Sequence, residues 1–577
     1  MTWLPAFLAL GLTPLIFDLG CVEPVLAPKL ACWMTGAGLA ALCLRWRPLN
    51  RAGTFCLLWL TWSLAAGWAD GVPWQHLGWL QSAIGCFWIL GAVPNQQRDE
   101  RILLAGWTLT LAYSWLQRLN LDPFAWSHPS LSQARTIAGL GNPNYLSMYL
   151  ACLLPLVAVR NRPMALFGWF SIILTGTRGS QLALLGVAVA LMVYRPHWVR
   201  RQGWFLLLAL LSWGAAHVWL QSSTAPTATV RRAQAESVSV RLLLWQSAIQ
   251  QGIDHPLWGV GPGNFGFEYL RRRPLEPESL RPLQRCPEDP HSQPLLVFAE
   301  QGIPGLLLWL AWMGTTLVTL WRKDRPACAC LAVLLVNGLS NAYPLSFWPL
   351  LFHWTTQALP EEQNVPKWHL YWLPLSLAVM LAGLAGWLFQ RTLWWEDEYR
   401  IWARGLRPSR EYSQLALLRR ANLDRANWLC PPWMRTQQAS FEFQFYAELA
   451  SKLSPPSPEL IQAADRWAAR RIELQPGNAY AWMSQAQVQE IAGRWPAATT
   501  IWAHVRQLDP RNPAVLFWLG QAQYRSGRPT EALVSLQESL EINSKTYQVY
   551  QLQAQIMIDL GRTWEGYWSW TQGSNYR

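Results

Sequence analysis

Hydrophobic and polar positions divide this chain of 577 residues into two unlike parts. Over residues 1–393, apolar segments alternate with short polar ones, and many apolar segments have about the 20 residues that a helix needs to cross a bilayer. After residue 393, apolar positions recur at helical spacing among many polar ones, which is typical of a soluble helical protein. The pattern predicts an all-α fold, with a polytopic membrane domain at 1–393 and a soluble tail.

The apolar segments predict about 12 or 13 membrane spans. They lie at roughly 2–19, 26–44, 53–68, 76–93, 102–119, 143–159, 163–176, 180–194, 203–220, 294–320, 327–342, 345–359 and 369–391. Basic loops follow the even-numbered spans, so these loops are predicted to be cytoplasmic, and the long loop 221–293 extracytoplasmic. Asn337, Asn341 and Pro344 interrupt 327–359, which therefore reads as two spans or as one broken span. The side of the membrane that carries the tail stays open.

The tail contains an internal repeat. The pairs Gly493-Arg494, Gly527-Arg528 and Gly561-Arg562 recur every 34 residues, and small residues recur at the same interval. A period of 34 with small residues where two helices touch resembles the tetratricopeptide pattern. We therefore predict a tetratricopeptide domain at 456–577, preceded by a helical connector at 394–455. Such repeats stack into a superhelix, which suggests a surface for a protein partner.

Composition and charge narrow the class of protein. With 51% hydrophobic and 14% charged residues, the chain is not disordered. The net charge of +13 does not indicate nucleic-acid binding, because only five of the 47 basic residues are lysine and the arginines are scattered. The ten cysteines lie mostly in apolar segments and form no CxxC pair, which argues against a zinc or redox site. Many of the 40 tryptophans lie near span ends, as in an interfacial belt.

Three residues on one predicted side of the membrane suggest chemistry. Arg178 lies in the polar hairpin Thr175–Ser180, Arg241 shares a helix face with Trp245, and His291 stands just before a span. Arginine grips phosphate oxygens bidentately, and a neutral histidine can take a proton from a hydroxyl. The set suits transfer from a lipid diphosphate, with the arginines holding the leaving group. Each residue also has a simpler explanation: a snorkelling anchor, a solvated helix face and an inert loop histidine.

Several motifs resemble a known family. In order, they follow the pattern of the O-antigen ligase and Wzy-polymerase superfamily over roughly residues 130–320: Gly139-Leu-Gly-Asn-Pro-Asn-Tyr145, Thr175-Gly-Thr-Arg-Gly-Ser180, Arg241-x3-Trp245, Pro256-Leu-Trp-Gly-Val-Gly261 and His291-Ser-x7-Glu300-x-Gly302. The later stretch Gly338-Leu-Ser-Asn-Ala-Tyr-Pro344 is similar to the protein O-oligosaccharyltransferase branch. A helical or tetratricopeptide tail also fits this superfamily.

The resemblance implies an enzyme that transfers a glycan from undecaprenyl diphosphate to an acceptor hydroxyl, without a metal or other cofactor. The site would lie at the outer face of the cytoplasmic membrane of a bacterium, and the acceptor would be a lipid, a protein or a glycan. Arg178 and Arg241 would contact the diphosphate, and His291 would be the catalytic base. Supporting residues would be Trp245, Gly259, Gly261 and Ser292. The family often has Asn where this chain has Ser292. A serine can still form a hydrogen bond, but it fixes the orientation of the His291 side chain less firmly.

Other functions stay open at this point. The same donor chemistry serves a ligase, a polysaccharide polymerase and a protein O-oligosaccharyltransferase. A transporter of a small anion would place ionisable residues or broken helices near the membrane midplane, whereas these three residues gather at one interface. A non-enzymatic scaffold would use the membrane part only as an anchor for the repeats. The sequence does not identify the sugar.

Overall fold

The computed structural model forms two compact units. It describes residues 3–18, 26–42, 49–69, 77–91, 94–124, 136–194, 214, 228–272, 287, 289–360, 375–389, 430, 435–452 and 455–576. The first unit comprises Met1–Ala235, Gly252–Pro262 and Pro290–Pro431. The second unit comprises Glu236–Gln251, Gly263–Asp289 and Pro432–Arg577.

Regular secondary structure in the described part of the chain is helical throughout, as the sequence predicts. The helices up to residue 389 are α1 (Leu4–Ala6, continued by a π-helical turn Phe7–Leu12), α2 (Leu26–Leu42), α3 (Arg51–Ala69), α4 (Leu77–Gly91), α5 (Gln96–Arg118), α6 (Pro143–Arg160), α7 (Arg162–Leu174), α8 (Arg178–Tyr194), α9 (Ala228–Asp254), α10 (Phe265–Arg271), α11 (Gln293–Lys323), α12 (Arg325–Gly338), α13 (Trp348–Ala358) and α14 (Leu375–Phe389). The centre of α9, and α10, belong to the second unit.

Side-chain caps fix where several of these helices begin. Asn95, Asn142, Asn161 and Asp324 each accept a hydrogen bond from a backbone N–H in the first turn of the helix that follows. In the last three cases a proline occupies the first turn, where its missing N–H leaves no helical bond unmade. These local signals separate α7 from α6 at Asn161 and α12 from α11 at Asp324, each pair joined by a tight turn.

Among the described residues, one helix is long and apolar enough to cross a membrane, Gln293–Lys323. Shorter apolar helices are Leu26–Leu42, Arg162–Leu174, Arg178–Ala190, Arg325–Gly338 and Leu375–Phe389. The interrupted segment 327–359 contains two helices, α12 of 14 residues and α13 of 11, each shorter than the roughly 20 residues of a full span. The span predicted at 203–220 and residues 394–429 of the connector lie outside the described residues, apart from residue 214.

Aromatic side chains fill the core of the first unit. Trp59 stacks on Trp312 and Trp348 with ring centroids 5.1 and 5.6 Å apart, and Phe352 stacks on Trp312 and Trp33 at 5.5 and 6.1 Å. All five are buried. The abundance of tryptophan therefore serves core packing as well as the predicted interfacial belt, a use that the sequence pattern did not indicate.

The second unit carries the predicted repeats. Its helices are α15 (Arg435–Lys452), α16 (Pro458–Leu474), α17 (Ala479–Ile491), α18 (Trp495–Leu508), α19 (Pro513–Arg525), α20 (Pro529–Ile542), α21 (Tyr547–Asp559) and α22 (Thr563–Ser574). Consecutive helices pack on each other from α15 to α22. The helix α15 lies at the end of the predicted connector.

The recurring Gly-Arg pairs end the first helix of each repeat. Gly493, Gly527 and Gly561 have φ angles of 69°, 79° and 77°, a conformation that favours glycine. The arginine after each glycine donates its backbone N–H to the carbonyl five residues earlier, which is the Schellman arrangement. Small residues let the paired helices approach closely: a Cβ added at Gly566 would lie 2.8 Å from the Ile558 side chain.

Candidate functional site

The predicted hairpin that carries Arg178 is present between α7 and α8. Gly176 turns the chain with φ 69°, and Arg178 is the first residue of α8. The Arg178 side chain is exposed, whereas Thr177 and Ser180 on either side are buried. The hairpin thus presents a guanidinium group at the beginning of a 17-residue helix, where the helix dipole also favours an anion.

The Asn-Pro-Asn motif is joined to this hairpin. Asn142 caps α6 by accepting a hydrogen bond from the backbone N–H of Asn144 at 2.8 Å. The Asn144 side-chain oxygen in turn accepts a hydrogen bond from the Thr177 hydroxyl at 3.2 Å. Asn144 therefore links two motifs that are more than 30 residues apart in the sequence.

The segment 338–344 connects the hairpin with the beginning of α11. A Cβ added at Gly179 would lie 2.9 Å from the Ser340 hydroxyl oxygen, so Gly179 packs directly against the Ser340 side chain. The backbone N–H of Tyr343 donates to the side-chain oxygen of buried Gln293 at 2.8 Å. Arg178 and His291 therefore belong to two elements that pack against one short segment, each only one or two residues from the contact.

His291 occupies a strained position just before α11. Its φ is 52°, which is uncommon for a residue other than glycine, and its side chain is exposed. Ser292 stands at the N-cap of α11 but is buried, and its hydroxyl does not cap the helix. Backbone strain of this kind persists where the surroundings hold it, often at functional sites. In this chain Gln293, rather than Ser292, makes the hydrogen bond that anchors the turn.

Gly259 and Gly261 shape a loop that runs beside the kink of α11. Their φ angles are 69° and 87°, a conformation that favours glycine. Val260 and Gly261 donate backbone hydrogen bonds to Ala299 and Glu300 at 2.9 and 3.0 Å. The two glycines therefore hold the loop against the helix that begins near His291, and do so through backbone contacts.

A second set of contacts fixes the kink itself. At Gly302 the backbone of α11 departs from helical geometry, with φ 68° and ψ −167°. Trp62 stacks on Trp258 at 4.4 Å between ring centroids and donates its indole N–H to the Gln301 carbonyl at 3.0 Å. Neither Gly302 as a kink nor Trp62 as a contact was predicted, although Gly302 belongs to a quoted motif.

Arg241 and Trp245 lie on α9, in the part that belongs to the second unit. Both side chains are half-buried, as expected for residues that share a helix face. The indole nitrogen of Trp245 is buried and has no hydrogen-bond partner among the described residues. Gln251 bonds to Ser247 and to the Phe265 carbonyl, both at 3.2 Å, and so fixes α9 against α10. The helix on which Arg241 and Trp245 were predicted to share a face is present and runs from Ala228 to Asp254.

The described residues contain no group of three or more His, Cys, Asp or Glu side chains that could hold a metal ion. The chemistry available to the first unit at this point is an exposed arginine and an exposed histidine, supported by buried amides and hydroxyls. Within the second unit, half-buried Arg241 lies one helical turn from Trp245. These groups can bind an anion and accept a proton.

Comparisons with known proteins identify two domains. Residues 163–310 match the family model for O-antigen ligase, and residues 491–556 match a tetratricopeptide repeat model. No curated protein matches the chain. Among solved structures, MamA MSR-1 is 17% identical, covers 32% of this chain and 96% of its own, and has a TM-score of 0.23. MamA 41-end from Desulfovibrio magneticus RS-1 is 14% identical, covers 29% of this chain and 92% of its own, and has a TM-score of 0.22. The resemblance predicted from the sequence is confirmed over these two segments: residues 163–310 are similar to O-antigen ligases, and residues 491–556 are similar to tetratricopeptide repeats.

Proposed function

We propose that the chain transfers a glycan from an undecaprenyl-diphosphate-linked donor to an acceptor hydroxyl at the outer face of the bacterial cytoplasmic membrane. The observation that carries this proposal is the O-antigen ligase match at 163–310, which includes Arg178, Arg241 and His291. The packing of the Arg178 hairpin and the His291 turn against the segment 338–344 supports it further.

The arginines would bind the diphosphate. Arg178 combines an exposed guanidinium with the positive end of α8, and both attract phosphate oxygens. Arg241 would contribute a second guanidinium, with Trp245 one turn further along α9 providing a rigid neighbour. Charge develops on the diphosphate as it leaves, so these contacts strengthen in the transition state.

His291 would act as the general base. Its exposed imidazole takes the proton of the acceptor hydroxyl while that oxygen attacks the anomeric carbon of the donor sugar. The bond between the anomeric carbon and the diphosphate oxygen breaks, and undecaprenyl diphosphate leaves as an anion. A single displacement of this kind inverts the configuration at the anomeric carbon and requires no metal.

The experiment is alanine substitution of Arg178, Arg241 and His291 in the full-length protein in membranes. We expect transfer from the lipid-linked donor to fall by about 100-fold or more, with unchanged protein in the membrane fraction. The matched controls are Arg118→Ala, an exposed arginine at the end of α5, and His255→Ala, an exposed histidine in the predicted long loop. Full activity of both Arg241→Ala and His291→Ala would refute the proposal.

The acceptor requires a separate measurement. Deleting the gene and profiling surface polysaccharide and glycoprotein together distinguishes a ligase, a polymerase and a protein O-oligosaccharyltransferase, because each loses a different product. Vesicle uptake of a small anion would reveal a transporter. Deleting 456–577 tests the scaffold alternative, since an enzyme whose repeats are accessory retains transfer without them.

A further inference from the structure

The last helical pair of the repeat domain, α21 and α22, borders a cleft of about 710 Å³. A cleft of this size falls within the range of small-ligand sites. Its aromatic lining consists of Tyr550, Trp564 and Trp568, and its polar lining includes Gln537, Glu541 and Gln572. The cleft lies wholly within the second unit and contains none of the residues assigned to glycan transfer.

The two tryptophans are not explained by packing between repeats. Trp564 and Trp568 are four residues apart on α22, so they share a face, and they are 75% and 59% exposed. One repeat earlier, the equivalent positions hold Thr530 and Val534, which are also exposed. The repeat therefore leaves these positions open to solvent, and two large aromatic rings there form an apolar surface with no partner in the repeat pattern.

The polar residues around the rings indicate what kind of ligand fits. Glutamine amides both donate and accept hydrogen bonds, and the two lining carboxylates, Glu541 and Glu565, accept them, so together they complement hydroxyl groups. The described residues that line the cleft include no Lys or Arg, which disfavours phosphate or an anionic lipid surface. The amides around the rings also make the cleft a poor match for the apolar face of a partner helix.

We propose that this cleft binds an uncharged oligosaccharide. The apolar faces of successive sugar rings would stack on Trp564 and Trp568, while hydroxyls at the ring edges would bond to Gln537 and Gln572. Aromatic rings provide such contact with little loss of conformational freedom, because they have few rotatable bonds. That the bound glycan is the one the enzyme transfers rests on the proposed function. The cleft would then hold the chain of the donor or product at a site that takes no part in the chemistry.

The test uses the purified full-length protein in detergent. The probe is the oligosaccharide released by mild acid from the bacterium's own undecaprenyl-diphosphate-linked glycan, with binding followed by calorimetry and saturation-transfer NMR. We expect Trp564→Ala and Trp568→Ala each to weaken binding by about tenfold. The matched control is Trp570→Ala, which removes a tryptophan that is 47% exposed on the same helix but does not line the cleft. Thermal unfolding of each variant checks that the repeats remain folded.

The outcomes separate this proposal from the proposed function. Binding that persists in His291→Ala but is lost in the double Trp564→Ala/Trp568→Ala variant supports the cleft whether or not transfer is observed. Wild-type protein that does not bind the probe, or a double variant that binds it fully, overturns the proposal. The proposal is also overturned if the double variant still binds the oligosaccharide but no longer binds anionic vesicles or a protein partner. The aromatic pair would then serve another class of ligand.

Discussion

Replacing Gly302 with alanine should disrupt the kink in α11 and the loop beside it. Gly302 has φ 68° and ψ −167°, a region that is essentially restricted to glycine. A Cβ there would lie 2.5 Å from the Pro256 carbonyl oxygen and 2.6 Å from the Leu257 carbonyl oxygen. Both atoms belong to backbone, so the overlap cannot be relieved by rotating a side chain. Either the kink or the loop must move.

The magnitude follows from what the loop would lose. Forcing alanine into this conformation costs about 1–3 kcal/mol. Moving the loop also breaks three backbone hydrogen bonds between 256–261 and 299–303, with lengths of 2.8 to 3.0 Å, each worth about 1 kcal/mol. We therefore expect a loss of about 4–6 kcal/mol in the free energy of unfolding.

The assay is thermal unfolding of the detergent-solubilised protein with a thiol-reactive dye. The dye reports the exposure of buried cysteines, among them Cys56, Cys152 and Cys330. The matched control is Gly314→Ala in the same helix, where an added Cβ meets nothing within 4 Å. In a helix interior alanine is favoured over glycine by about 0.5–1 kcal/mol, so this variant should unfold at or slightly above the wild-type temperature. If Gly302→Ala unfolded at the same temperature as Gly314→Ala, the reasoning would be refuted.

Three further changes test other contacts. Gln293→Leu leaves the buried N–H of Tyr343 without its acceptor and should lower stability by about 1–3 kcal/mol and reduce transfer, whereas unchanged unfolding and activity would contradict this. Thr177→Val removes the hydrogen bond to the Asn-Pro-Asn turn and should lower stability by about 1 kcal/mol, while Thr177→Ser retains it; equal unfolding temperatures would argue against the link. Burial raises the pKa of the Glu490 carboxyl, while a hydrogen bond from Trp502 opposes the shift. Stability should therefore decrease as the pH rises from the unfolded pKa of about 4.3 to the raised folded pKa, and Glu490→Gln, which keeps the acceptor, should remove this decrease in pH-dependent melting curves.

Features with a local physical cause could be predicted from the sequence. The glycines that end helices in the repeats could be predicted, because Gly-Arg pairs recur every 34 residues. A helix end of the Schellman type needs a residue in the left-handed conformation, which favours glycine. Asn142 before a proline predicts a helix start, and the structure has one there. The short hairpin at 175–180 and the interruption of 327–359 are visible because polar residues break otherwise apolar segments.

The contacts that join these features could not be predicted in the same way. Which tryptophans enter the core depends on the arrangement of helices, so Trp59 and Trp312 look no different in sequence from tryptophans at span ends. Hydrogen bonds such as that between Tyr343 and Gln293 cross 50 residues and leave no periodic signal. The kink at Gly302 is an exception, because Pro304 two residues later is a local signal for a break that the predicted span 294–320 did not use.

The buried amides explain why the motifs of the first unit must be close together. A buried side-chain amide is costly unless it is hydrogen-bonded, and helices leave their own backbone groups satisfied. Gln293 therefore needs a partner that lacks a helical bond, and the non-helical stretch after α12 supplies one in the Tyr343 N–H. The buried Thr177 hydroxyl meets the same requirement by donating to half-buried Asn144, which joins the start of α6 to the hairpin 175–180. The non-helical segments that carry the candidate site therefore also supply the hydrogen bonds that hold those segments together.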